Sequence, residues 1–172
     1  WAPLWLRDVA GYSNTAIGWV LFAMLGAYAC GNLAFGWVAQ QRQRCGKSVM
    51  PLIEGGVAIF IALQIGLALQ STALAIPLWI GVSIFLSAAY AIYPIVAGNF
   101  DPALAARATS ALNFLVFLSI FIIQWLIGII IEIFPLAESG GFSSTAHSWA
   151  FAIGIALQIL GLAWYEVLFR RS

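Results

Sequence analysis

Charge is what this sequence has least of. Asp, Glu, Lys and Arg make up 8% of its 172 residues, against roughly 25% in an ordinary soluble domain. A water-soluble fold of this size needs more polar surface, which excludes a soluble enzyme. Neither sign dominates, because seven Lys and Arg against six Asp and Glu leave +1. No basic field exists to hold nucleic acid, so no nucleic-acid partner is expected. Histidine occurs once and cysteine twice. Cys30 lies in an apolar run and Cys45 in a basic segment. At different depths in a reducing context, the two promise neither a disulfide nor a metal site. There is no His-Glu-x-x-His, no Gly-x-Ser-x-Gly and no phosphate-binding glycine loop. The chain reads as a non-enzyme without cofactor or metal. The apolar start, Trp1–Leu6, would cover about 9 Å as a helix, far short of a hydrocarbon core of about 30 Å. It lacks an initiator Met, a basic n-region and a cleavage site, so it is not a signal peptide. It reads as the end of a helix whose beginning is missing, and the sequence as a fragment.

What the chain has in abundance is apolar surface, with 63% hydrophobic residues. The runs are long and continuous, unlike the alternating segments of about ten residues in a membrane barrel. They predict an all-α, polytopic helical membrane protein with five full transmembrane helices and the end of a sixth. The spans are expected at about 17–38 (A), 49–69 (B), 73–97 (C), 108–134 (D) and 149–169 (E). The lipid bilayer is the implied solvent. Arg7–Ser13 is a polar break, with Asn14 or Thr15 as the expected cap of span A. Gln40–Ser48 reads as a basic loop, Gln70–Thr72 as a tight turn, and Pro135–Ser148 as a long loop. Arg42, Arg44, Lys47, Arg107, Arg170 and Arg171 fall on one side, and Arg7 alone on the other. The positive-inside rule puts the first group, and the C-terminus, in the cytoplasm.

Polar side chains inside the spans should face protein or water rather than lipid. Span A has small residues at helical spacing (Ala23, Ala27, Cys30, Gly31 and Ala34), which read as a packing stripe. Tyr28 and Asn32 sit beside it. Span C carries Ser83, Ser87, Tyr90 and Pro94 on one face, a possible solute path that ends at a bending proline. Its hydroxyls could equally bond back to their own helix. Span D carries Asn113 and Gln124 on one face, as cavity lining or as interhelical glue. Span E reads as a packing face through Ala150, Gly154, Gln158, Gly161 and Tyr165, and Gln64 of span B should bond a neighbouring helix. The candidate solute-binding residues are thus Tyr28, Asn32, Ser83, Ser87, Tyr90, Asn113 and Gln124. Tyr90, Asn113 and Gln124 are expected to face one central space. Asp8, Asp101 and Glu138 fall in loops, Glu54, Glu132 and Glu166 near span ends, and His147 at the outer interface, where it should be solvated. No buried proton relay is expected in this stretch.

Three stretches resemble the C-terminal half of a major facilitator superfamily transporter. Gly36-Trp-Val-Ala-Gln-Gln-Arg-Gln-Arg-Cys-Gly46 is similar to the family's loop signature at Gly36, Ala39 and Arg44, with Gln40 and Gln43 departing from it. Trp1–Gly11 resembles the end of the seventh helix. Arg107–Asn113, with Gln124-Trp125 and Gly128, resembles the eleventh. The resemblance covers essentially the whole chain, 1–172, and makes spans A to E helices eight to twelve. It implies alternating access by two halves around a central site, a small-molecule substrate, a missing N-terminal half as partner, and a bacterial inner (plasma) membrane. It gives Gly36 and Arg44 a role in a conformational loop, with Arg44 paired to a carboxylate or helix end. It makes helices nine and twelve peripheral. Another multi-span permease or channel, or a non-transporting scaffold subunit, is the competing reading.

Overall fold

Prolines and small polar residues fix where the helices start. Pro3, Pro51 and Pro102 each sit in a first helical turn, where a missing N–H costs least. In the computed structural model, which describes residues 1–137 and 140–169, the elements are α1 (Ala2–Asp8), α2 (Asn14–Arg44), α3 (Met50–Ala68), α4 (Ala75–Leu86), α5 (Ile92–Gly98), α6 (Pro102–Ile133) and α7 (Ser144–Phe169). Short 3-10 segments precede α4 (Thr72–Leu74) and join α4 to α5 (Ser87–Ala91). The protein is an all-α helical membrane protein. Five helical stretches, α4 and α5 counting as one, are long and apolar enough to cross a membrane. Glu138, Ser139, Arg170 and Arg171 lie outside the described residues.

Helix ends depart from the expected ones in four places: α6 begins at Pro102, not at about 108, α7 begins at Ser144, inside the expected loop, and both ends of α2 shift. The cap of α2 is Ser13, not Asn14 or Thr15. Its backbone is extended and its Oγ accepts the Ala16 N–H at 3.3 Å. The basic segment is largely helical, because α2 runs on through Arg44 and stops only near Gly46, at positive φ. Gln and Arg are good helix formers, and nothing before that glycine breaks the helix. Arg42 Nε donates to the Ser48 carbonyl at 2.8 Å and closes the remaining loop.

The bundle is built on α4. It packs against α2 and α3, while α3 also packs against α7, and α6 against α5 and α7. Two glycines set the closest approaches. A Cβ on Gly31 of α2 would stand 2.6 Å from the Ile84 carbonyl oxygen, and one on Gly56 of α3 would collide with the Ala88 methyl. Helices in lipid come this close only where side chains are absent. Gly31 is the buried member of the span A stripe, whereas Ala23, Cys30 and Ala34 face outward. An apolar cluster around Trp5, Leu6, Val20, Leu67 and Trp79 fills one end, and a smaller one of Ala39, Val49 and Ala91 the basic end. Phe114 to Trp125 on α6 is almost wholly exposed.

Candidate functional site

The 3-10 segment is the natural starting point. Pro94 has no N–H for the carbonyl four residues back, at Tyr90, and its ring crowds that carbonyl. The chain responds with the tighter winding over Ser87–Ala91 and resumes as α5. This tighter turn is wedged between Gly31 and Gly56, with Ala88 fully buried.

Its side chains form an aromatic ladder across three elements. Tyr28 meets Tyr90 edge to face at 6.1 Å, and Tyr90 stacks on Tyr93 at 6.0 Å and 12°. Tyr93 Oη donates to Asn113 Oδ1 at 3.0 Å. Ser87 Oγ donates to the Tyr28 carbonyl at 3.1 Å, and Asn32 Nδ2 donates to the same carbonyl at 3.0 Å. Ser83 bonds back to the Trp79 carbonyl of its own helix at 2.9 Å. The structure thus brings together Tyr28, Asn32, Ser87 and Tyr90 and, through Tyr93, Asn113. Gln124 is elsewhere. Eleven residues of helix separate it from Asn113 by about 16 Å along the axis, so sharing a face does not mean sharing a space. Of the three residues expected to face one space, Tyr90 and Gln124 line adjoining cavities and Asn113 lines neither.

Three cavities run in file along α2 and α4. One of about 550 Å³ at the basic end is lined by Asn32, Gly36, Ser87, Tyr90 and Pro94 among others. A groove of about 360 Å³ follows, with Met24, Tyr28, Ser83, Leu86 and Tyr90 in its wall. It shares Met24, Ser83 and Leu86 with a third cavity of about 450 Å³, which also takes in Gln124. Gly36 has open space around its Cα. Arg44 is exposed at the last turn of α2, next to the C-terminal end of that helix, and forms no ion pair with a carboxylate among the described residues. The polar tie at that loop is made by Arg42 instead.

Two polar clusters stand at the opposite end. Gln64 and Gln158 exchange amide hydrogen bonds at 3.3 and 3.0 Å, joining α3 to α7. The sequence predicts a bond from Gln64 to a neighbouring helix, but it gives Gln158 only as part of a mostly small-residue face. Both α3 and α7 help to line the third cavity. His147, expected in solvent, is 2% exposed. Its Nε2 lies 3.4 Å from Asp8 Oδ2, and the Asp8 side chain is itself 3% exposed. Asp8 also accepts from Arg7 Nε at 2.6 Å and from the Phe142 N–H at 3.2 Å. Only a glycine at 141 leaves room for this carboxylate, because a Cβ there would stand 2.5 Å from Oδ1. Burial pushes the Asp8 carboxyl up, but the bonds from Arg7, Phe142 and His147 and the charge of Arg7 outweigh it and hold it below the usual range. Residues 8 and 147 carry no local signal of this pairing, which exists only once α1 meets α7.

The indole N–H groups of Trp5 and Trp79 are buried without a hydrogen-bond partner among the described residues. Such a donor costs about 1–3 kcal/mol. Compared with protein-family models, with curated proteins and with solved structures, the chain matches none.

Proposed function

We propose that this chain is the C-terminal half of a major-facilitator-type secondary transporter and moves a small, uncharged solute by alternating access. The observation that carries the reading is the file of three adjoining cavities along α2 and α4, whose polar lining is mostly hydroxyl and amide. A scaffold has no use for such a file. The 3-10 segment at Ser87–Ala91 lies against it and offers a place for α4 to bend. The family resemblance supplies the partner, an N-terminal half facing these grooves, and the membrane, a bacterial plasma membrane with the basic end in the cytoplasm.

The test is uptake of a solute panel into proteoliposomes holding the full protein. At least one uncharged solute should enter faster than into protein-free vesicles. Gly36→Leu, which enters the open space of the basic-end cavity, should cut that rate about tenfold or more with the protein still folded. Pro94→Ala, which restores the missing N–H, should straighten α4 and slow transport while raising amide protection over residues 87–94. Equal uptake with and without protein across the panel would defeat the proposal.

A further inference from the structure

The end of α2 carries charge that the bundle does not use. We infer that the turn Arg42–Lys47 is a docking surface for an anionic phospholipid of the leaflet on the basic side, with Arg44 and Lys47 holding its phosphate. Three cations fall within this turn, and no Asp or Glu stands between Asp8 and Glu54 to offset them. The helix end does not need them, because main chain caps its carbonyls. The Cys45 N–H reaches the Gln41 and Arg42 carbonyls, the Gly46 N–H reaches Gln43 at 2.9 Å, and the Lys47 N–H reaches back to Arg42 at 2.8 Å. Gly46, at φ 63°, permits this reversal, which folds Lys47 back onto the last turn of the helix. Arg42 Nε is tied to the Ser48 carbonyl. Arg44 and Lys47 are exposed and form no ion pair among the described residues.

Depth selects the partner. The apolar run of α2 ends at Ala39, and five more residues of helix carry the chain about 7.5 Å further, to Arg44. The headgroup layer on each side of a bilayer is about 5–8 Å thick, so Arg44 and Lys47 stand at the level of lipid phosphates. Leu33 and Trp37 are 76% and 62% exposed, and at 100° per residue each lies within about 20° of Arg44 around the helix. They give an acyl chain an apolar track beneath the phosphate, with the Trp37 indole at the depth such rings favour. Trp37 also edges the basic-end cavity. A soluble phosphate compound has no use for that track. Arg offers phosphate oxygens a planar fork and Lys a point charge. Topology alone is served by a cation anywhere on this side, Arg107 included, so it does not account for a capped turn that gathers three. The surface holds lipid whether or not the bundle moves a solute, and its test needs no transport assay.

The test reads lipid composition at the turn itself. Cys45, an exposed free cysteine, is labelled with a donor dye in a Cys30→Ser background. The protein is placed in phosphatidylcholine nanodiscs with a trace of phosphatidylglycerol or phosphatidylcholine that carries an acceptor dye on its acyl chain. Energy transfer should show the anionic tracer enriched over the neutral one about fivefold or more, the factor that one cation near a membrane surface supplies. Arg44→Gln should cut the ratio several-fold, Arg44→Gln with Lys47→Gln should bring it near one, and Arg44→Lys should keep most of it. Salt at about 0.5 M should lower it. Arg107→Gln, which removes a cation from the same side, should change it less than about twofold. Unlabelled phosphatidylglycerol should displace the tracer, and millimolar glycerol phosphate should not. Equal transfer to the two tracers, a ratio untouched by the double variant, a loss in Arg107→Gln as large as in Arg44→Gln, or displacement by glycerol phosphate would each overturn the site.

Discussion

A single carboxylate shows how much one residue can hold here. Asp8 joins α1 to the turn before α7 and to His147, and it does so as an anion. Its pKa in the folded chain lies below the unfolded value of about 3.9. Its contribution to stability is therefore complete above that value and is lost as pH falls through the folded one. Asp8→Asn should cost about 2 kcal/mol at neutral pH, the scale of a hydrogen bond to a charged group. Between pH 5 and about 3 the wild-type unfolding temperature should fall more steeply than that of the variant. Parallel acid slopes in thermal melts would show that Asp8 does not carry the charge. The amide pair behaves differently, since neither member is ionic. Gln64→Leu strands the Gln158 amide and should cost about 1–2 kcal/mol. Gln64→Leu with Gln158→Leu removes both partners and should recover most of it. A double variant as unstable as the sum of the singles would mean the two amides do not interact.

At the level of elements, two glycines of α2 separate packing from propensity. Gly31→Ala pushes a methyl towards the Ile84 carbonyl, which is backbone and cannot swing aside. The expected loss is about 1–3 kcal/mol, as for overpacked cores. Gly36→Ala meets nothing within 4 Å and should be neutral or stabilising by up to about 1 kcal/mol, the helix-propensity difference. Unfolding in detergent compares the two directly, and equal losses would refute the close contact. The elements themselves were largely legible in the sequence, because lipid demands long apolar runs and Pro51 marks a helix start. The end of α2 was not, because Gln40–Arg44 is polar without being helix-breaking. Of the site, the face of Tyr28 and Asn32 and that of Ser83, Ser87 and Tyr90 followed from spacing along single helices, and the contact between Tyr28 and Tyr90 did not. The pairs Gln64–Gln158 and Asp8–His147 join residues far apart in the chain. Each member is solitary in its own stretch, so no periodicity announces it.

For the molecule as a whole, orientation rests on the uneven distribution of Lys and Arg. In a background with Cys30→Ser and Cys45→Ser, an impermeant thiol reagent outside intact cells should label Leu136→Cys and spare Gln43→Cys. The reverse pattern would invert the bundle. The long α6 has a further meaning at this scale. The part of its 32 residues that lies between Arg107 and Glu132 spans about 36 Å, beyond a hydrocarbon layer of about 30 Å. It meets α5 and Tyr93 near one end and α7 near the other, and between them its side chains stand free. A helix longer than the layer around it leans, and a thicker layer lets it stand more upright. Because Asn113 holds the Tyr93 hydroxyl, that lean reaches the aromatic ladder, and the acyl-chain length of the surrounding lipid becomes a setting on the candidate site.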